Sequence, residues 1–473
     1  MHGLRAHRRG HGRGRLRGPG VLRLVRHAAS RPIRRSRDGR GRAPRPRGPV
    51  EAAVTATRLA LLGGEPVRSA PWPQWPDARD EDVSAVAEVV RSAKWWRYAG
   101  DETAAFEREF AGYHDARYAV AVNSGTTALD IALQALGIGP GDEVIVPAYT
   151  FQATASCVLL ANAVPVFADV DAATMNIDPE SVAAAITDRT RAIIPVHLAG
   201  LPADLERLRE IAEPRGILIL EDAAQAHGAV WRGRKVGALG AAGAFSFQAS
   251  KNLPAGEGGL VLTNDEGVAA RAAALHDCGR VPGRPFYEHH IIGYNFRMTE
   301  MQAALLRSRL RRLEQETDRR FRLGRRLTRR LRALPGIEPL DPEPADGDRR
   351  AYHLYPVRLH PAQLDGLKRD LFMEALRAEG IPCMEGYGRP LYRNPVFVQG
   401  TFRGGGCPVT CGRYSGSVDY RSVFCPVTER LCEEVVWLFH NLLLGSESDV
   451  DDIARAFEKV VEGRKELAAR RAG

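Results

Sequence analysis

Lys251 ends the run Ala244-Phe245-Ser246-Phe247-Gln248-Ala249-Ser250-Lys251. An amine placed just beyond a buried strand could attack an aldehyde and form a Schiff base. The stretch after it, Pro254-Ala255-Gly256-Glu257-Gly258-Gly259, is a turn that suits close approach of the backbone to another group. A single lysine is more often a solvated surface residue, so it needs companions. Asp222 is one, in Glu221-Asp222-Ala223-Ala224-Gln225 at the end of a second apolar run. A carboxylate at the mouth of a buried strand is costly unless it meets a cation, for which a protonated pyridine nitrogen would serve. Capping of the next helix is the plainer reading of the same residue. A third group, Asn123-Ser124-Gly125-Thr126-Thr127, joins a strand to a helix with small residues, and helix N-termini of this kind attract phosphate. That signal is weak alone, because any such turn favours Ser, Gly and Thr. The Gly137/Gly139/Gly141 run follows a helix and reads as a stop and turn.

These groups must be carried by strands. From Tyr118 onward, β-rich runs alternate with helical ones: Tyr118–Val122, Glu143–Val146, Val164–Phe167, Ala192–Val196, Ile217–Leu220, Ala244–Phe247 and Leu260–Thr263. They are almost continuous Val, Ile, Ala and Leu, as strands covered on both faces should be. Helices are expected over Thr127–Leu136, Ser181–Ile186 and Leu205–Ala212. The pattern predicts an α/β fold with a mostly parallel sheet covered by helices, whose ligands collect at the carboxyl ends of the strands. After Met298, leucines at 306, 310, 313, 323, 327, 331 and 334 recur every three or four residues, marking a long helix stopped by Pro335-Gly336. Its many arginines are expected on a solvated face. A strand over Tyr352–Val357 and a helix over Asp365–Ala378 suggest a smaller C-terminal α/β domain. The expected organisation is a tail over 1–57, a large domain over 58–312, and a linking helix with small domain over 313–473.

The net charge of +10 is not spread evenly. Residues 1–50 hold 16 arginines and one acid, Asp38, leaving 51 basic and 56 acidic groups for the rest of the chain. The body is therefore mildly acidic. The Arg/Gly/Pro-rich tail lacks the apolar side chains to offset its ordering entropy and reads as disordered. It also lacks any aromatic residue for base stacking, so nucleic-acid binding is disfavoured. Seven scattered cysteines fit a reducing cytoplasm rather than a disulfide framework. Cys407 and Cys411 lack a second ligand pair, so no metal site is expected. No apolar run reaches the ~20 residues that span a bilayer.

Cradle, Phe151 after a strand, Asp222 and Lys251 stand in the order found in fold-type-I pyridoxal phosphate enzymes. Across residues 58–465 the chain resembles the DegT/StrS-type sugar aminotransferase family. The resemblance rests on Asn-Ser-Gly-Thr-Thr-Ala-Leu (123–129), Gly-Asp-Glu-Val-Ile-Val-Pro (141–147), Glu-Asp-Ala-Ala-Gln-Ala-His-Gly (221–228), Phe-Ser-Phe-Gln-Ala-Ser-Lys-Asn (245–252), Gly-Glu-Gly-Gly (256–259) and Gly-Tyr-Asn-Phe-Arg-Met (293–298). It implies catalytic roles for Lys251, as Schiff-base amine and proton carrier, and for Asp222, as partner of the ring nitrogen. It implies pyridoxal 5′-phosphate as cofactor, with Phe151 on the ring, Gln225 beside its phenolic oxygen, and Ser124, Gly125, Thr126 and Ser246 at the phosphate. Asn295 would reach the phosphate of a second subunit, which implies a homodimer with shared sites. The implied substrates are L-glutamine or L-glutamate and a keto-cyclitol or keto-sugar, in antibiotic-type biosynthesis. Trp95–Glu102, His276–Arg280 and Val436–His440 are similar to cyclitol enzymes and to 3-amino-5-hydroxybenzoate synthases alike, so an aromatising enzyme stays open beside the aminotransferase. A third reading puts a regulatory nucleic-acid binder on an inert scaffold. The intact Lys251, Asp222 and phosphate turn speak against it. His197, His227, Tyr98 and Arg280 are candidate acceptor contacts, with core roles equally open.

Overall fold

The computed structural model describes residues 58–402 and 406–469. The tail expected over 1–57 lies outside them. Seven strands form the main sheet: β1 (Tyr118–Val122), β2 (Glu143–Pro147), β3 (Val164–Ala168), β4 (Thr190–Ile193), β5 (Leu218–Asp222), β8 (Ala242–Ser246) and β9 (Gly259–Thr263). A short hairpin, β6 (Val230–Trp231) and β7 (Arg234–Lys235), stands between β5 and β8 in the chain. The sheet order is β1-β9-β8-β5-β4-β2-β3. Pairs β3/β2, β2/β4, β4/β5 and β5/β8 are parallel, and β9 runs antiparallel between β8 and β1. The mostly parallel sheet read from the apolar runs is therefore present. All five residues of β2, β8 and β9 are buried, as double-sided coverage requires.

Helices cover both faces. In chain order they are α1 (Asp80–Ser92), α2 (Glu102–Tyr113), α3 (Gly125–Ala135), α4 (Ala153–Leu160), α5 (Pro179–Ala185), α6 (Leu205–Ala212), α7 (Glu266–His276), α8 (Glu300–Leu331), α9 (Arg369–Ala378), α10 (Pro395–Val398), α11 (Pro426–Glu434), α12 (Glu447–Glu462) and α13 (Arg464–Ala469). A second, four-stranded antiparallel sheet has the order β10-β11-β13-β12, from Ile337–Pro339, Leu354–Leu359, Val435–Phe439 and Cys383–Glu385. Helix α8 serves both sheets. Leu306 and Leu313 pack with Phe245 and Phe247 of the main sheet's side, whereas Leu323, Leu327 and Leu331 pack with Val357, Leu438 and Phe457. α9 begins four residues later than its apolar period suggests. Asp365 and Gly366 both have left-handed backbone (φ 53° and 76°), which no α-helix accommodates.

The arginines of α8 depart from expectation. Arg311, Arg322 and Arg329 are solvated, but Arg309, Arg312 and Arg320 are buried. For Arg309 and Arg312 the cost is offset by acids on α1 and the segment before it, whereas Arg320 pairs with Glu316 one turn back on α8 at 3.3 Å. Arg312 holds both oxygens of buried Asp82 at 3.0 and 2.8 Å, Ser308 donates to the same carboxylate at 2.7 Å, and Arg309 reaches Asp77 at 2.9 Å. Helical periodicity cannot reveal this, because the acids lie more than two hundred residues upstream. Burial alone would raise the Asp82 pKa. The hydrogen bonds from Arg312 and Ser308 overcome it and bring the group down to about 2. A carboxyl depressed in this way stabilises the fold above its unfolded pKa of ~3.9, and the contribution fades as pH falls toward 2. Asp82→Asn, which removes the bidentate partner of Arg312 and one of the two acids facing Arg309, should cost roughly 3 kcal/mol and lower the thermal midpoint at neutral pH. The midpoint gap between variant and parent should narrow when melting is repeated in acid. A gap independent of pH would show that the carboxylate charge is not what holds α1 to α8.

Candidate functional site

The carboxyl ends of β1, β2, β5 and β8 open on one cavity of about 920 Å³. Its lining includes Ser124, Gly125, Thr126, Phe151, Asp222, Gln225, Ser246 and Lys251, eight of the nine residues singled out from the sequence. The ninth, Asn295, is exposed, bridges to Asp277, and does not line this cavity. Adjacent parallel strands β5 and β8, registered at Asp222 opposite Ala244, set the acid beside the loop that carries the lysine.

Each group is held by its neighbours. Ser124 caps α3, its Oγ accepting from the Thr127 N–H at 3.2 Å. The helix starts at Gly125, two residues earlier than the apolar pattern indicates. The first-turn N–H groups of Gly125 and Thr126 have no intrahelical acceptor. A Cβ on Gly125 would sit 2.6 Å from the Ser246 Cβ, so only glycine lets the turn approach the end of β8. Asp222 Oδ2 accepts from Thr154 at 2.9 Å and Oδ1 from the Ala224 N–H at 3.2 Å. Glu221, pointing to the opposite face of β5, takes the Gly237, Leu239 and Gly240 N–H groups at 2.6 Å each and His197 Nε2 at 3.0 Å. The Ala203 N–H donates to His197 Nδ1 at 3.0 Å, which places the imidazole proton on Nε2. Gln225 Oε1 accepts from the Ala199 N–H at 2.8 Å, and its amide donates to the Tyr387 hydroxyl at 3.3 Å.

The lysine loop is fixed on both sides. Phe247 N–H donates to Gly258 O at 2.8 Å, Ala249 N–H to Gly256 O at 2.9 Å, and Ala255 N–H to Phe247 O at 2.7 Å. Gly256 and Gly258 have φ of 84° and 152°, which explains the glycine-rich turn. Trp75 Nε1 donates to the Lys251 carbonyl at 3.2 Å, and His440 Nε2 donates to the Ser250 carbonyl at 3.1 Å. Among the described residues the Lys251 ammonium has no hydrogen-bond partner. Burial pulls its pKa down to about 8, against the opposing pull of the Asp222 charge. Burial likewise raises Asp222, opposed by Thr154, Ala224 and Lys251. The cavity thus combines a readily deprotonated amine, a buried carboxylate short of cationic partners, free N–H donors beside Ser246, and the largely exposed Phe151 ring (61% accessible). That donor set fits a phosphorylated aromatic aldehyde with a basic ring nitrogen.

Several lining residues had no mark in the sequence as site residues: Trp75, His353, Tyr387 and Asn441, while Trp437 stood, like His440, in a matching stretch without a role. They come from the segment before α1 and from the second sheet, and only the tertiary fold brings them to Lys251. His440 lies in a stretch noted for its similarity to other proteins, without a role. The four candidate acceptor contacts lie elsewhere. His197 and His227 are fully buried, and Tyr98 and Arg280 both engage Asp277.

In apo protein, amine-reactive labelling of Lys251 should titrate with a midpoint near 8 rather than in the usual lysine range. Asp222→Asn removes the charge that raises it, so the midpoint should move lower still. A midpoint unchanged by this substitution would mean that the two groups are not electrostatically coupled.

The sequence profile of the DegT/DnrJ/EryC1/StrS aminotransferase family matches residues 76–458. An L-glutamine:2-deoxy-scyllo-inosose aminotransferase of Streptomyces kanamyceticus is 41% identical over 440 residues, covering 88% of this chain and 100% of the relative. A 3-amino-5-hydroxybenzoate synthase of Amycolatopsis mediterranei (strain S699) is 38% identical, covering 83% and 98%. Among solved structures, a crystal structure of 3-amino-5-hydroxybenzoic acid synthase superposes with a TM-score of 0.75 at 38% identity, covering 85% of this chain and all of that one. The chain belongs to the DegT/DnrJ/EryC1/StrS aminotransferase family.

Proposed function

We propose that this family member transfers an amino group from L-glutamine or L-glutamate to the keto carbon of a cyclitol or sugar, using pyridoxal 5′-phosphate held at Lys251. The observation that carries the proposal is one cavity uniting the Lys251 amine, the Asp222 carboxylate and the Gly125–Ser246 approach. The substrate class rests on similarity to 2-deoxy-scyllo-inosose aminotransferases near 40% identity. In this reading residues 58–312 build the cofactor domain, 313–473 supply the second wall, and the enzyme works in the cytoplasm of an antibiotic producer.

Bound at Lys251, the cofactor supplies a conjugated cationic ring that accepts the electron pair left when a proton leaves the amino donor's Cα. The chain's own groups do the rest. Lys251, neutral in a large fraction near pH 8, would hold the cofactor through its amine and, when free, would be the base that moves the donor's Cα proton. Asp222 would hold the cofactor's ring nitrogen in its protonated form, a cation that would offset the carboxylate's own burial. Thr154 and the Ala224 N–H keep the carboxylate oriented. Phe151 would cover the cofactor ring, and Gln225, fixed by Ala199 and Tyr387, would serve its phenolic oxygen. Ser124 organises the α3 turn, and Gly125, Thr126 and Ser246 would hold the phosphate.

Asn295 completes the cradle from a partner subunit in this proposal. The supporting observation is an exposed aromatic group on the same chain. Trp95, Trp96, Tyr98, Phe286 and Tyr287 are 39–85% accessible, and all but Trp95 touch edge to face, the kind of apolar patch that a second copy covers.

The aromatising benzoate synthase is the second reading, favoured by the 38% identity and the superposition. Product analysis separates the two. With L-glutamine and a keto-cyclitol, the expected product is an amino-cyclitol without ultraviolet absorption; an absorbing aromatic amine formed from an aminated cyclohexenone acid, with keto-cyclitols inert, would transfer the protein to the second reading. Shared sites are tested by mixing inactive Lys251→Ala and Asn295→Ala chains. Random re-pairing puts one intact site in half of the dimers, so activity should recover to about a quarter of the parent's. No recovery despite heterodimer formation would place Asn295 outside the partner's site.

A further inference from the structure

The cavity opens outward into a second space of about 710 Å³, sharing Thr150, Phe151 and Tyr387 with the Lys251 cavity. Its outer wall is the stretch Tyr387-Gly388-Arg389-Pro390-Leu391. This stretch is pinned at both ends: the Gly386 N–H donates to Val435 O on β13 at 3.3 Å, and the Leu391 N–H to Ala148 O beyond β2 at 2.9 Å. Pro390 restricts Arg389 to extended backbone, and a Cβ added at Gly388 would meet nothing within 4 Å. Arg389 therefore lines the outer space from a segment anchored at both ends.

Its charge is unanswered. Arg389 is exposed and has no hydrogen bond or ion pair among the described residues, while Arg393, one turn on, is paired with Glu429 at 3.3 Å. The ionic groups lining the inner cavity are Lys251, Asp222 and Glu257. His353 and His440, also in the lining, are kept neutral by burial. Once Lys251 is committed to the cofactor, Arg389 is the one lining cation of the two spaces, among the described residues, that is left for a substrate.

The two substrates of a transaminase pass through the same site in turn, and they differ in charge. A keto-cyclitol is a neutral polyol. An α-amino acid carries a carboxylate on the very carbon that loses its proton. We infer that Arg389 is a specificity residue that binds the carboxylate of the amino donor at the mouth, through the paired N–H groups that suit a carboxylate. The inference rests on the aminotransferase reading. It assigns the outer space to the donor's charged end and leaves the inner wall of Trp75, His353, Tyr387 and Trp437 to the uncharged ring.

The test is a half-reaction titration of the cofactor-loaded enzyme, followed by the cofactor absorbance. Parent, Arg389→Ala and Arg389→Lys are each titrated with L-glutamine and, in the reverse sense, with the amino-cyclitol corresponding to an accepted ketone. Loss of a charge-assisted pair corresponds to a rise of about tenfold or more in half-saturation. For Arg389→Ala this rise is expected with L-glutamine, should exceed any rise with the amino-cyclitol by about tenfold, and should be partly reversed in Arg389→Lys. Half-saturation for L-glutamine within twofold of the parent would overturn the assignment, as would an equal rise for both amines, which denotes general damage to the mouth. A larger rise for a phosphate-bearing amino-sugar than for L-glutamine would overturn it too, transferring Arg389 to the acceptor. If the parent enzyme itself gave no absorbance change with any amine, the aminotransferase reading would fail first, and the two failures are thereby distinguished.

Discussion

An amine and a carboxylate kept out of bulk water at the ends of two neighbouring parallel strands are the constraint on which the rest of the structure depends. Neither is comfortable there. Burial lowers the affinity of Lys251 for its proton and raises that of Asp222, and each opposes the other's shift only in part. Such a pair is expensive to maintain for stability alone, and perturbed pairs of this kind collect at functional sites. The surrounding structure is arranged to hold it: Thr154 and Ala224 orient the acid, and the glycine turn, Trp75 and His440 fix the backbone on either side of the lysine.

The same economy of buried charge recurs away from the site. Glu221 sits one residue from Asp222 but faces the other way, and its burial is answered by three N–H groups and His197. Asp82 answers the buried Arg309 and Arg312 of α8. The carboxylates of these clusters are saturated, although Nε of Arg309 and Nε and Nη1 of Arg320 have no partner among the described residues. Asp222 and Lys251 are not, and that difference separates a structural ion cluster from a site that awaits a ligand.

Much of this was legible in the sequence because local rules decide it. Continuous apolar runs marked all seven strands of the main sheet, and strand-end positions marked Ser124, Asp222 and Lys251, to which the family resemblance added Ser246. Where expectation and structure part, non-local contacts are responsible. The arginine face of α8 looked solvated because Asp77 and Asp82, which pair with it, are remote in sequence. Trp75, Tyr387 and His353 carry no strand-end signature and reach the cavity only through packing of the second sheet and the segment before α1. Tyr98 and Arg280, attractive as polar residues in matching stretches, turn out to serve Asp277.

The central claim, that the Lys251 amine carries the cofactor, has a direct measurement. Protein loaded with pyridoxal 5′-phosphate is reduced with borohydride, digested and mapped by mass spectrometry. The account predicts one stoichiometric phosphopyridoxyl adduct per chain, on Lys251, and its disappearance when excess L-glutamine is added before reduction. A protein that stayed unlabelled, or an adduct on another lysine that survived the amino donor, would contradict it.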